Sequence, residues 1–182
     1  MSKNQTVYRI ALLVDVKQRD LPGHVLLKEI LESTYPCMVK LFPAKHARRM
    51  LYNFKPHLAV LPMVYLPTYI RLSYMIKSVG SLVAFLPTEG VPVMLDDDFL
   101  DQMAGKFSDF RAIDLHLVWN EELRRREVSH GVLPSERVKV LGLPRFDFYH
   151  DSLIPLRMKK SVLANRYGLD DRKPTITWTT NF

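Results

Sequence analysis

Six short apolar runs recur along this chain, and longer segments with apolar residues at helical spacing alternate with them. That alternation constrains the fold more than any other feature. Parallel neighbouring strands need a crossover connection, so strand and helix alternating through short links call for a parallel sheet with helices on both faces. The spacing predicts strands at 8–14, 37–42, 57–61, 81–86, 114–119 and 137–141. It predicts helices at 21–33, 44–54, 67–78, 95–110 and 121–129, several with legible ends. Pro67 suits a first helical turn, Asp96, Asp97 and Asp98 suit the positive end of a helix dipole, and Asn120 is a good N-cap. Gly80, Gly131 and Gly168 read as helix stops.

The pattern changes towards the end. Gly142-Leu143-Pro144-Arg145-Phe146-Asp147 is a turn-rich exit from the sixth strand, with Arg145 and Asp147 placed for a local ion pair. An amphipathic helix is expected at 156–167 and a strand at 175–179. No helix follows to cover that strand, so the chain reads as cut off where a second domain begins. The expected organisation is a Rossmann-like three-layer domain over 1–150. A linker helix and the first strand of a truncated domain follow over 151–182.

Composition sets the class. The 182 residues are 47% hydrophobic and 25% charged, enough to bury one core and too apolar for disorder. A lone Cys37 excludes an intramolecular disulfide and suits a reducing compartment. The apolar run at 10–14 is stopped by Asp15, and no stretch approaches the roughly 20 apolar residues that span a bilayer. A cytoplasmic protein is expected, with any membrane contact peripheral, at the inner face of the cell membrane. The net charge of +7 fits phosphate-rich partners: nucleotides, nucleic acid or anionic lipid. The cations fall in short groups on predicted helices (Lys45, His46, Arg48 and Arg49; Arg124 to Arg126; Arg157, Lys159 and Lys160), which also suits solvated helix faces.

Strong catalytic signatures are absent. There is no G-x-G-x-x-G after the first strand, no phosphate-cradling glycine loop ending in Gly-Lys-Ser/Thr, and no nucleophile elbow. The six histidines show no paired metal spacing. Candidate residues are therefore those beyond the C-terminal ends of strands, where open α/β sheets bind ligands. Asp15, Lys17, Arg19, Asp20, Gly23 and His24 follow the first strand as a long charged link. His24 there is either a base or a capping residue. Glu89, beside Gly90 after the fourth strand, is either a base for an acceptor hydroxyl or a structural cap. Arg145, after the sixth, is either an ion-pair partner or a substrate contact.

Three elements carry a resemblance: Asp15 to Asp20 entering an apolar helix, Glu89-Gly90, and Val140 to Asp147 leading to a basic helix and then Thr175 to Phe182. In these the chain resembles the N-terminal half of bacterial surface-polysaccharide (capsule) biosynthesis proteins of GT-B type. The G-x-P-R-x-D element also resembles the equivalent junction in UDP-sugar 2-epimerases and in glycerophosphotransferases of teichoic acid synthesis. Pro22-Gly23-His24 departs from the usual first loop. The resemblance implies a glycosyltransferase that moves a sugar from a nucleotide-activated donor to a glycan or lipid-linked acceptor. It implies an acceptor-holding N-terminal domain, Glu89 or His24 as the base, and Asp15, Lys17, Arg19 and Arg145 lining the cleft. It implies no protein-held metal, no cofactor beyond the nucleotide sugar as co-substrate, and no nucleic-acid partner. An epimerase of the same fold and a non-catalytic α/β binding module are the alternatives.

Overall fold

The computed structural model describes residues 6–63, 66–88, 96–106 and 112–174. Six strands form one sheet in the order β2-β1-β3-β4-β5-β6, and every neighbouring pair is parallel. They are β1 (Tyr8–Val14), β2 (Cys37–Pro43), β3 (Leu58–Leu61), β4 (Leu82–Phe85), β5 (Leu115–Val118) and β6 (Val138–Val140). With helices on both faces, this is the expected Rossmann-like α/β architecture.

Side chains alternate across the pleat, so each apolar run feeds two cores. Ala11, Leu13, Leu61, Val83 and Phe85 join Met50, Phe54, Ile76, Leu100 and Leu123 on one face. Leu12, Val39, Val60 and Ala84 meet Leu27 and Leu31 on the other. Leu12, Leu13 and Leu61 are fully buried, and each such side chain stabilises the fold by about 1.5–3 kcal/mol.

The strand order explains how the helices divide. The chain steps from β1 to β2 in one direction, then from β3 to β6 in the other. Right-handed crossovers therefore send the first helix to one face and the later ones to the opposite face. Helix α1 (Lys17–Thr34) supplies Leu27 and Leu31. Opposite it lie a winding segment, α3 (Pro67–Ser78), α4 (Asp97–Lys106) and α5 (Glu121–Ser129). The winding segment runs through a 3-10 turn (Ala44–His46), α2 (Ala47–Arg49) and a π turn (Met50–Phe54). Lys55, with φ +50°, ends it and donates its N–H to the Met50 carbonyl. A short α6 (Pro144–Asp147) follows β6 and packs against α1.

Local signals act as their chemistry predicts. Asn120 Oδ1 accepts the Leu123 N–H at 2.8 Å and caps α5. Asp96 Oδ1 accepts from the Asp98 and Phe99 N–H groups at the start of α4. Arg125 and Arg126 pair with Glu122 and Asp97, so much of that basic group is a solvated helix face.

The chain divides into two compact units, Met1–Asp147 and Phe148–Phe182. The second holds a 3-10 turn (Asp151–Leu156) and α7 (Lys160–Arg166), with Gly168 at φ +66° after the helix. The helix expected at 156–167 is shorter than its apolar pattern. Arg157, Lys159 and Lys160 would crowd its positive end, and helix geometry begins only at Lys160. The strand expected at 175–179 lies outside the described residues.

Candidate functional site

The first correction concerns the link after β1. Only Asp15 and Val16 separate β1 from α1, so the predicted charged loop is mostly helix. The helix predicted from residue 21 starts at Lys17 and runs through Pro22 and Gly23. Asp20 explains the early start. Its Oδ2 accepts the Asp15 and Val16 N–H groups at 2.9 Å each, satisfying donors at the helix entrance. Its Oδ1 takes the Arg19 Nε–H at 2.6 Å. Burial would raise the Asp20 carboxyl, but the bonds from Arg19, Val16 and Asp15 outweigh it and hold the group below its usual value. Arg19 also reaches Asp15 at 3.4 Å, and Asp15 Oδ1 accepts the Tyr69 hydroxyl at 2.9 Å. Burial, then the Asp15 bond, pushes the Tyr69 phenol well above its usual range. Tyr69 therefore stays a neutral donor.

One helical turn further on, His24 is buried, 2% exposed. Its Nδ1 lies 2.9 Å from the Asp20 carbonyl. A carbonyl only accepts, so Nδ1 carries the proton and Nε2 presents a lone pair. Nε2 is buried and has no hydrogen-bond partner. Burial lowers the His24 pKa, against the pull of the Asp20 carbonyl and charge, and keeps the ring neutral at pH 7.

Nε2 is not alone. Thr88 Oγ1 and Arg145 Nε are also buried without a hydrogen-bond partner, and all three residues line one small cavity. The cavity volume is about 10 Å³, room for a single water or hydroxyl. Its walls come from α1, from the exit of β4 and from the exit of β6, all at the C-terminal edge of the sheet.

Close packing holds Arg145 there. A Cβ on Gly23 would sit 2.9 Å from the Arg145 backbone nitrogen, so only glycine lets α1 approach this chain so closely. Gly142 turns the exit of β6 with φ +77°. The Trp119 ring meets Phe146 edge-on at 5.6 Å and donates its Nε1–H to the Pro87 carbonyl at 3.0 Å. Arg145 rests over the Phe146 ring at 5.2 Å. The ion pair expected between Arg145 and Asp147 is not formed, because the guanidinium turns to Phe146 and the cavity. Gly23 admits the chain's own backbone.

His24, Arg145 and Arg19 thus line one cavity, and Asp15 joins it through Arg19. Lys17 is exposed at the start of α1 and lines neither this cavity nor the groove described below. Glu89 lies outside the described residues, immediately after Thr88. Tyr69 and Thr88 carried no signal as single residues in the sequence; their roles depend on partners distant along the chain. Among the described residues no three His, Cys, Asp or Glu side chains converge as a metal site requires, and no helix is long and apolar enough to cross a membrane. No family model matches the chain, and no curated protein matches it in sequence.

Proposed function

We propose that this domain is the acceptor-side half of a GT-B-like glycosyltransferase of surface-polysaccharide biosynthesis, with His24 as its base. The observation that carries the reading is the His24 imidazole: neutral, fixed in one tautomer, with an unpartnered nitrogen in a cavity at the strand ends. An acceptor hydroxyl entering the cavity would donate to Nε2 and accept from the Arg145 Nε–H. As its oxygen attacks the anomeric carbon of a nucleotide-activated sugar, the bond to the leaving phosphate breaks and takes its electron pair with it. The hydroxyl proton moves to Nε2. The Asp20 carbonyl already holds Nδ1–H and steadies the imidazolium that forms.

The small cavity supports a second reading. One buried water could satisfy all three groups, and the domain would then be a binding module with no base. His24→Gln separates the two. Glutamine keeps polar atoms in the cavity but cannot take the proton. Sugar transfer from a panel of UDP-, CDP-, GDP- and CMP-sugars is measured in the protein carrying the donor-side half, with and without acceptor. Loss of about a hundredfold in acceptor-dependent transfer, in a folded variant, is expected. Unchanged transfer removes His24 as the base, and conversion of the nucleotide sugar without acceptor points to an epimerase.

A further inference from the structure

A wide groove lies on the opposite side of the sheet edge, and the proposed chemistry leaves it unused. Its upper part, about 680 Å³, opens between the Ala44–Arg49 stretch and α3. A lower part of about 400 Å³ shares Arg48 and Met75 with it and continues towards Val79.

The two parts differ in chemistry. Lys45, Arg48 and Arg71 line the upper part, and none has an ion-pair partner among the described residues. Asp15 is the one carboxylate among the described residues of that lining, and it is engaged by Tyr69 and Arg19. The upper part therefore presents a net positive surface. Leu51, Tyr52 and Val79 line the lower part. Tyr52 is 77% exposed, Val79 59% and Met75 37%, an apolar strip that burial under a ligand would stabilise. The upper part alone has the size of an ordinary small-ligand pocket.

We propose that this groove binds an amphiphile with a phosphate head and a hydrocarbon tail. The head sits among Lys45, Arg48 and Arg71, where charge-assisted hydrogen bonds form. The tail runs past Met75 along Leu51, Tyr52 and Val79. A free phosphate would use only the upper part and a neutral alcohol only the lower. This site goes beyond the sugar-transfer reading and is tested without any nucleotide sugar, so either can fail alone.

The test is calorimetric titration of the whole chain with octyl phosphate, inorganic phosphate and octanol. Octyl phosphate is expected to bind at one site at least about tenfold tighter than either fragment. Replacing both arginines (Arg48→Ala with Arg71→Ala) is expected to weaken octyl phosphate about tenfold or more and leave octanol unchanged. Met75→Glu is expected to weaken octyl phosphate and leave inorganic phosphate unchanged. Val79→Glu, at a more exposed position, replaces it if that variant does not fold. Equal affinity for phosphate and octyl phosphate would overturn the proposal in favour of a plain anion site. Insensitivity to all these substitutions would overturn it too. So would binding to anionic phosphatidylserine vesicles without binding of monomeric octyl phosphate, since a surface patch would then suffice.

Discussion

Two buried histidines lie on opposite sides of one sheet, and they are built for different ends. His116, 1% exposed, projects from β5 into the larger core. It stacks on Phe85 at 4.3 Å, and its Nδ1 lies 2.7 Å from Oε2 of the fully buried Glu127. Neither Glu127 oxygen has a hydrogen-bond partner, so the imidazole is held by packing against the carboxyl and Phe85. His24, equally buried, has only a backbone carbonyl beside it, and its free nitrogen meets a cavity. The lesson is that depth alone does not mark a functional group. His116 Nε2 is unpartnered as well, so what distinguishes His24 is the cavity before its free nitrogen.

The comparison can be broken first at Glu127. Glu127→Ala removes one partner of the buried pair and leaves His116 and a void in the core. A loss of about 2–5 kcal/mol in urea unfolding, the range for emptying a buried side chain of similar size, is expected. His24→Gln should cost far less, since its cavity already exists. If the two cost the same, the contrast fails. Gly23→Ala comes next. The added methyl meets Arg145 backbone, which cannot rotate away, so about 1–3 kcal/mol should be lost. Transfer should fall with it, because Arg145 shifts in the cavity.

The pH dependence sharpens the same contrast. His24 titrates at a lowered value in the folded protein and near 6.5 when unfolded. The unfolded chain therefore binds the extra proton first as pH falls. The His24 contribution is fully present above about 6.5 and is lost as pH drops through the lowered folded value. Unfolding curves taken downward from pH 7 should show that loss in the wild type and a flatter profile in His24→Gln. Identical profiles would show that His24 is as free to protonate as in water. The smallest effect is expected at Asn120→Ala, remote from both histidines. The lost cap should cost about 1 kcal/mol by the same unfolding measurement and leave transfer unchanged.

What could be read from the sequence followed range along the chain. β1 and the Pro67–Ser78 helix match their predicted bounds, because a continuous apolar run and an N-terminal proline are local signals. Asn120, Gly131 and Gly168 act within their own turns. The start of α1 is predicted at residue 21 because the charged stretch at 15–20 reads as a loop, while Asp20 accepts the Asp15 and Val16 N–H groups and starts the helix earlier. His24 and Arg145 were found separately, by their places after β1 and β6. The resemblance implied that both border one cleft, but the residues alone did not show their contact, which rests on a glycine approach made across the whole domain. The cationic groove was half legible. Lys45 and Arg48 stood out as a basic group, but Arg71 joins them only once α3 is folded.

The Gly23 contact with Arg145 also bears on how this protein reaches its native state. It joins the first helix to the exit of the last strand, so closing it carries the entropy cost of a very long loop. Contacts of that sequence range form slowly, after the local strand–helix units have paired. The three walls of the His24 cavity come from early, middle and late segments of the domain. An intermediate lacking β6 would leave the imidazole open to water, where the burial that lowers its pKa is missing. The chemistry proposed for His24 would thus switch on only with the last step of folding.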